Sequence, residues 1–257
     1  MIKAIFMDVD GTLLSHKTGR VPESTVRSLE TCRQMGISVF VCTGRHLSEL
    51  RKLPLGGVEF DGYVTLNGQL VLDRQERVLY GNPLPEPVRR EIAAIFTENR
   101  FPLLLMEERK VYINFIDALV EQVQARISSP LPRVDSYGGG PVYQASVYLK
   151  GDEEARLKAC LPAGARTVRW NDGGVDVIPA TGGKAEGMKH LMAHFGLSRQ
   201  EIVAFGDGNN DTDMLTFAGI GVAMGNGAAC AKAAADFVTA DIDDDGVEKA
   251  LRNLMIL

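Results

Sequence analysis

Short apolar runs broken by polar, glycine-bearing turns recur along this chain, with helical stripes between several of them. Ile2 to Met7 with one lysine, Ile37 to Cys42, Gly62 to Leu66, Ile202 to Phe205 and Ile220 to Ala223 each stay apolar over the length of a strand. Such runs fit strands buried on both faces of a parallel sheet. Pro22 to Met35 carries Val26, Leu29 and Cys32 on one helical face and stops at Gly36, and a short helix is expected from His46 to Leu53. Met188, Leu191, Met192 and Phe195 make a second stripe, read as core packing. Helices follow around Met214, Leu215 and Ala218, over Ala228 to Ala235, and from Asp245, where Asp245-x-x-Glu248 reads as a cap. Asn67-Gly68, between Val64-Thr65-Leu66 and Leu70-Val71-Leu72, is a hairpin signal.

The texture changes from about Gly81. A helix stripe (Val88, Ile92, Ile95, Phe96) leads to strands at Leu103 to Met106 and Val111 to Phe115, joined by a turn at Glu108-Arg109-Lys110. A helix through Val123, a strand at Tyr143 to Leu149, a helix near Glu153 to Leu161 and paired short strands to Ile178 complete the stretch, with loops at Ser128 to Pro132 and Gly138 to Pro141. Interleaved helices and hairpins predict an α+β domain inserted into an α/β chain. Pro83, Pro85 and Pro87 mark one junction and Pro179 to Gly183 the other, which gives a core of residues 1–80 and 183–257 and an insert of 81–182.

Composition narrows the function classes. A 257-residue chain, 45% hydrophobic and 24% charged, reads as an ordinary globular protein. The net charge of −5, with no Lys/Arg-rich run, argues against nucleic acid and anionic membranes as partners. No apolar run approaches the ~20 residues of a membrane span, and the first residues lead into a strand, so a cytoplasmic protein is expected. Cys32, Cys42, Cys160 and Cys230 are widely spaced and read as free thiols; His190 and His194 lack the glutamate of a zinc-protease motif and read as a solvated face. Oligomeric state is not legible in the pattern.

Chemistry gathers where the apolar runs end. Asp8 and Asp10 close the first run, and burying carboxylates there costs several kcal/mol unless a cation or strong donors compensate, which suggests a metal site. Taken alone, Asp-x-Asp-Gly is also an ordinary turn, Thr43 an ordinary cap and Lys184 an ordinary surface lysine. Together, Asp8/Asp10, Thr43, Lys184 and Asp207/Asp211 would converge on one edge of a shared parallel sheet, where ligands bind in open α/β folds. Carboxylates suit a hard divalent cation; the hydroxyl, the lysine and exposed amides suit a phosphoryl group.

In this order and spacing the clusters resemble the haloacid dehalogenase superfamily. Asp8-Val9-Asp10-Gly11-Thr12 matches its first motif, Thr43-Gly44-Arg45 its second, Lys184 its third and Gly206-Asp207-Gly208-Asn209-Asn210-Asp211 its fourth. The insert resembles the large cap of the Cof-type sugar-phosphatase branch. The resemblance implies a doubly wound, Rossmann-like α/β core with an inserted α+β cap, and a Mg²⁺-dependent phosphatase acting on a small phosphorylated metabolite such as a sugar phosphate. It implies Asp8 as the nucleophile that becomes an aspartyl-phosphate, and Asp10 as the general acid and base. Asp8, the carbonyl of Asp10, Asp207 and Asp211 would serve Mg²⁺; Thr43, Gly44, Lys184, Asn67 and Asn210 would lie on the substrate phosphate. An aspartate at position 10 sets the chain apart from the related ATPases, which carry threonine there, and from the dehalogenases, which lack the acid. A phosphomutase of the same architecture shares these motifs, and a catalytically silent phosphometabolite-binding protein would keep the fold. Arg109, Tyr112 and Asn114 are the insert residues expected to choose the substrate.

Overall fold

The structure, a computed structural model, describes residues 1–127 and 129–257. Of the loop expected at 128–132, Ser128 lies outside the described residues, and 129–132 carry no regular structure. The chain divides into two compact units, Met1–Tyr80 with Gly183–Leu257, and Gly81–Gly182.

The first unit begins with β1 (Ala4–Met7), α1 (Glu23–Gln34), β2 (Ser38–Cys42), α2 (Leu47–Leu50), β3 (Gly62–Thr65), β4 (Leu70–Asp73) and β5 (Val78–Gly81). The second unit holds α3 (Glu86–Thr97), β6 (Leu103–Met106), β7 (Val111–Ile113), α4 (Ala118–Arg126), β8 (Gln144–Tyr148), α5 (Glu154–Cys160), β9 (Ala165–Asn171) and β10 (Gly174–Pro179). The chain then returns to the first unit with α6 (Lys184–Phe195), β11 (Ile202–Gly206), α7 (Thr212–Phe217), β12 (Ile220–Ala223), α8 (Ala229–Ala234), β13 (Phe237–Val238) and α9 (Gly246–Asn253).

Among the described residues the first unit's sheet runs β13-β12-β11-β1-β2-β3-β4-β5. β1 pairs in parallel with β2 on one side and with β11 on the other, and β12, β13 and β3 extend the parallel set. Every residue of β1 is fully buried, as a central strand covered on both faces requires. Because the neighbours run the same way, β1, β2 and β11 all deliver their carboxyl ends to one edge. β3 and β4 form the hairpin that Asn67-Gly68 announces, pairing antiparallel across a 3₁₀ turn at Leu66–Gly68.

The second unit is an antiparallel sheet of order β7-β6-β8-β10-β9. Alternation puts Leu103, Leu105, Ala145, Val147, Val175 and Val177 on the face that packs with Val88, Ile92, Ile95 and Phe96 of α3 and Leu157 of α5. The predicted α3 stripe is therefore the one that is buried.

Some local expectations fail. In α1 the buried stripe is Ser24, Thr25, Ser28, Leu29 and Cys32, while Val26 lies at its margin. Small hydroxyl residues on that face pack beside α9, and the Ser24 hydroxyl donates to Asp245 at 2.5 Å. That bond accompanies the lack of a side-chain cap at Asp245, which holds the N-cap position of α9 in the left-handed region (φ 57°) with its carboxylate accepting from Ser24. Phe195 stacks near Phe40 at 4.9 Å between ring centroids but stays 39% exposed, so it closes the α6 stripe only partly. His190 stacks on Tyr80 and His194 is exposed. The sequence pattern does not announce the short strands β5 and β13; each lies at a sheet edge and is at most partly buried, and β13 is only two residues long. All four cysteines are free, Cys32 and Cys42 buried, Cys160 and Cys230 exposed. Among the described residues no helix is long and apolar enough to cross a membrane.

Candidate active site

Asp8 follows β1 directly and continues its pairing, the Asp8 amide donating to the Phe205 carbonyl at 3.0 Å. The chain then folds back on itself, with the Leu13 and Leu14 amides both donating to the Val9 carbonyl at 3.0 and 2.7 Å. Gly11 makes this turn possible for two reasons. Its φ is +88°, and a Cβ there would stand 2.3 Å from a carboxylate oxygen of Asp207.

Asp207 follows β11, and a 3₁₀ turn at Asn209–Asp211 leads into α7. The turn is pinned by Asp211, whose Oδ2 accepts from the amides of Asp207 and Gly208 at 2.9 and 2.7 Å. Lys184 opens α6, whose start is packed against the β3–β4 turn so closely that a Cβ on Gly68 would meet the Gly183 carbonyl at 1.9 Å. The Lys184 ammonium, wholly buried, donates to Asp8 Oδ1 at 2.6 Å and to Asp211 Oδ1 at 2.5 Å. Oxygens of Asp8, Asp207 and Asp211 all lie within 4.8 Å of one another.

Three carboxylates and one ammonium leave an excess of negative charge in a dry place. Burial first, and then repulsion from Asp211, hold Asp8 well above the ordinary carboxylate range. The same two causes push Asp207 up to about 7, although the Thr12 hydroxyl, donating to its Oδ1 at 2.8 Å, works in the opposite direction. Burial alone would depress Lys184, but Asp211 and Asp8 outweigh it and keep the ammonium charged. An arrangement short of positive charge, built from hard oxygen donors, fits a small divalent cation.

A second polar group stands at the end of β2. Thr43 is buried, and its hydroxyl accepts from the Arg45 amide at 3.2 Å, an ordinary turn bond. The Arg45 guanidinium grips Asp10 in a two-armed fork, Nε to Oδ2 at 2.6 Å and a terminal nitrogen to Oδ1 at 2.7 Å. Asn67 sits in the hairpin turn with φ 51°, and its side-chain oxygen accepts from Asn210 at 3.1 Å. A Cβ on Gly44 would come within 3.2 Å of the Asn67 amide, so Gly44, Asn67 and Asn210 are neighbours. The hairpin reading of Asn67 is met by this turn, which also sets its side chain beside Asn210.

The structure therefore brings Asp8, Lys184, Asp207 and Asp211 into one cluster and ties Asp10 to Arg45 beside Thr43. The Asp10–Arg45 fork and the Thr12 bond to Asp207 went unforeseen, because no local spacing announces a contact across 35 or 195 residues. In the second unit, two of the three substrate-choosing candidates are committed to structure. The Asn114 amide group brackets backbone atoms of Phe96, Phe101, Leu103 and Phe115. Tyr112 is buried, with its hydroxyl on Glu107 at 2.6 Å, while Arg109 is exposed beside Glu108.

By its fold this is a doubly wound α/β protein, with a cluster of three aspartates at one sheet edge that could hold a hard cation. Comparison with known proteins gives the same class. Residues 5–251 match the haloacid dehalogenase-like hydrolases. The chain is 33% identical to the Bacillus subtilis (strain 168) protein named "Putative phosphatase YkrA", covering 99% of this chain and 98% of that one. Among solved structures, BT4131, described as a sugar phosphatase of subclass IIB, is 33% identical, with a TM-score of 0.88 over 99% of this chain and 100% of that one. BT1666 from Bacteroides thetaiotaomicron, a phosphatase of the same superfamily, is 32% identical, with a TM-score of 0.89 over 100% of this chain and 96% of its own. The chain belongs to the haloacid dehalogenase-like hydrolases, and it is a phosphatase of that family, a phosphoric monoester hydrolase.

Proposed function

We propose that this enzyme hydrolyses a small phosphorylated metabolite, a sugar phosphate foremost, with Mg²⁺ as cofactor and the phosphoryl group carried in passing on Asp8. The observation that carries the reading is the buried Asp8 carboxylate, held by Lys184 at 2.6 Å and grouped with Asp207 and Asp211 at the carboxyl edge of the sheet. Asp8, Asp207 and the backbone carbonyl of Asp10 would hold the ion. Asp211 already takes two amides and the ammonium, so it would act through those contacts. When bound, the ion offsets the repulsion between an anionic nucleophile and an anionic phosphate.

In the first half-reaction an Asp8 oxygen attacks phosphorus, the bond from phosphorus to the ester oxygen breaks, and Asp10 gives that oxygen a proton. In the second, water attacks the same phosphorus and gives its proton to Asp10 as the bond to Asp8 breaks and phosphate leaves. Lys184, the Thr43 hydroxyl, the Gly44 amide and the side chains of Asn67 and Asn210 would take the remaining phosphate oxygens. Each Asp10 oxygen accepts one bond from Arg45 and keeps a second lone pair, so the fork orients the carboxyl while leaving sites for the proton. Residues 81–182 would act as a cap that reads the leaving group. The likeness to a subclass IIB sugar phosphatase supports a small polyhydroxylated substrate.

The test is phosphate release from a panel of phosphorylated metabolites, with and without chelator. Sugar monophosphates should lead the panel, and chelation should abolish turnover that Mg²⁺ then restores. Ca²⁺ should restore little, because its larger and looser coordination shell misplaces Asp8 against phosphorus. Full activity in excess chelator would remove the cation from the reaction, and a bisphosphorylated sugar requirement would turn the reading toward a phosphomutase.

A further inference from the structure

The turn after β12 touches both halves of the carboxylate cluster without contributing a carboxylate. Gly225 and Gly227 leave no space for side chains: a Cβ on Gly225 would meet the Ala240 carbonyl carbon at 2.6 Å, and one on Gly227 would stand 3.1 Å from the Asp207 Cα. The Ala228 amide donates to the Asp207 carbonyl at 2.8 Å, so the turn lies directly along the backbone of Asp207. Between the two glycines, Asn226 uses both ends of its amide. Its nitrogen donates to the Gly11 carbonyl at 2.7 Å, and its oxygen accepts from the Ile242 amide at 2.9 Å.

Gly11 is where the loop bearing Asp8 and Asp10 presses against the Asp207 carboxylate. One four-residue turn therefore grips Asp207 by its backbone and the facing loop by the Gly11 carbonyl. We propose that Asn226 is a positioning residue for the cation site: by holding Gly11 it sets the spacing between the Asp8–Asp10 loop and Asp207. Without it, the Gly11 carbonyl loses its donor and the part of the loop beyond Asp8 loosens against Asp207, with the Thr12–Asp207 bond the one side-chain hydrogen bond left between them among the described residues. This rests on the proposed Mg²⁺ site.

The test is Mg²⁺ binding by titration calorimetry with no substrate present, on wild type, Asn226→Ala and Ser24→Ala, with melting of each in chelator. Ser24→Ala is the control, because the Ser24–Asp245 bond secures the same acidic segment, Asp241 to Asp245, from its other side. Asn226→Ala should weaken Mg²⁺ about 10-fold or more, the usual effect of removing a group that orients metal ligands, while Ser24→Ala leaves affinity within about two-fold. Titrating each protein well below its own melting midpoint separates lost affinity from lost fold. Unchanged affinity in Asn226→Ala, or an equal loss in Ser24→Ala, would overturn this inference and leave the cation site standing. A wild type that binds no Mg²⁺ would overturn both.

Discussion

Replacing Lys184 by methionine would remove the cation that holds the carboxylate cluster together, and the geometry sets the size of the effect. Its two contacts, at 2.6 and 2.5 Å, each amount to about 6 kcal/mol of Coulomb attraction at an effective dielectric near 20, most of it offset by the cost of burying the ammonium. What remains on removing one partner of a buried pair is about 3–5 kcal/mol, and for a unit of this size that lowers the melting midpoint by roughly 6–20 °C. The sign of the pH dependence follows from the two raised aspartates. Asp207 is held at about 7 and Asp8 above the ordinary range, so the folded chain keeps protons that the unfolded chain gives up from about pH 4 upward. In chelator, the stability this cluster contributes is therefore greatest at the acid end and is lost as pH rises through 7. Lys184→Met raises both groups further, so its deficit should be largest near pH 8 and shrink toward pH 5, and saturating Mg²⁺ should narrow it by supplying charge in the same place. Calorimetry at both pH values, with chelator and with Mg²⁺, measures this. A variant melting within about 2 °C of wild type at pH 8 in chelator, or a deficit that grows toward acid, would refute the reasoning.

Asp8→Asn should abolish phosphoryl transfer with no covalent intermediate, and phosphorylation of that variant at the site would reassign the nucleophile. Asp10→Asn should slow both steps on alkyl phosphates by ~10²- to 10⁴-fold but spare formation more than hydrolysis on aryl phosphates. Rapid acid quench and intact mass should then reveal an accumulated aspartyl-phosphate; wild-type turnover of both ester types would exclude Asp10 as acid and base. Substitutions across residues 81–182 that leave the first unit untouched should reorder the preferred substrates, and an unchanged ranking would move specificity to the first unit.

What the sequence made legible is what local pattern carries. Largely apolar runs located β1, β2, β3, β11 and β12; a 3.6-residue stripe located α3 with its buried face; Asn67-Gly68 located a hairpin. Polar residues at strand ends were legible for the same reason, since a parallel sheet fixes where its carboxyl edge must be. What could not be read depends on partners distant in sequence. The buried stripe of α1 is shifted because Ser24 answers Asp245, 221 residues away, and the same bond engages the carboxylate whose spacing suggested a side-chain cap. Asn114 and Tyr112 look like exposed hairpin residues until the fold hands them backbone groups and Glu107 to bind. The Asp10–Arg45 fork belongs to this class too: each residue is expected from a motif, but their pairing is a product of the sheet.

The place of β1 between β2 and β11 has a consequence for synthesis. Asp8 leaves the ribosome well before the Lys184 ammonium that pairs with it, which lies 176 residues further on. At ordinary elongation rates of 5–20 residues per second that is a delay of roughly 10–35 s. During it, β1 has one partner in place and an open edge where β11 will dock. Residues 81–182, being continuous, can fold within that interval, while the first unit waits as a half-built sheet with Asp8 uncompensated at its rim. The edge of β1 beside Asp8 is thus open to wrong strand pairing until β11 docks against it, by which time α6 has brought in the Lys184 ammonium.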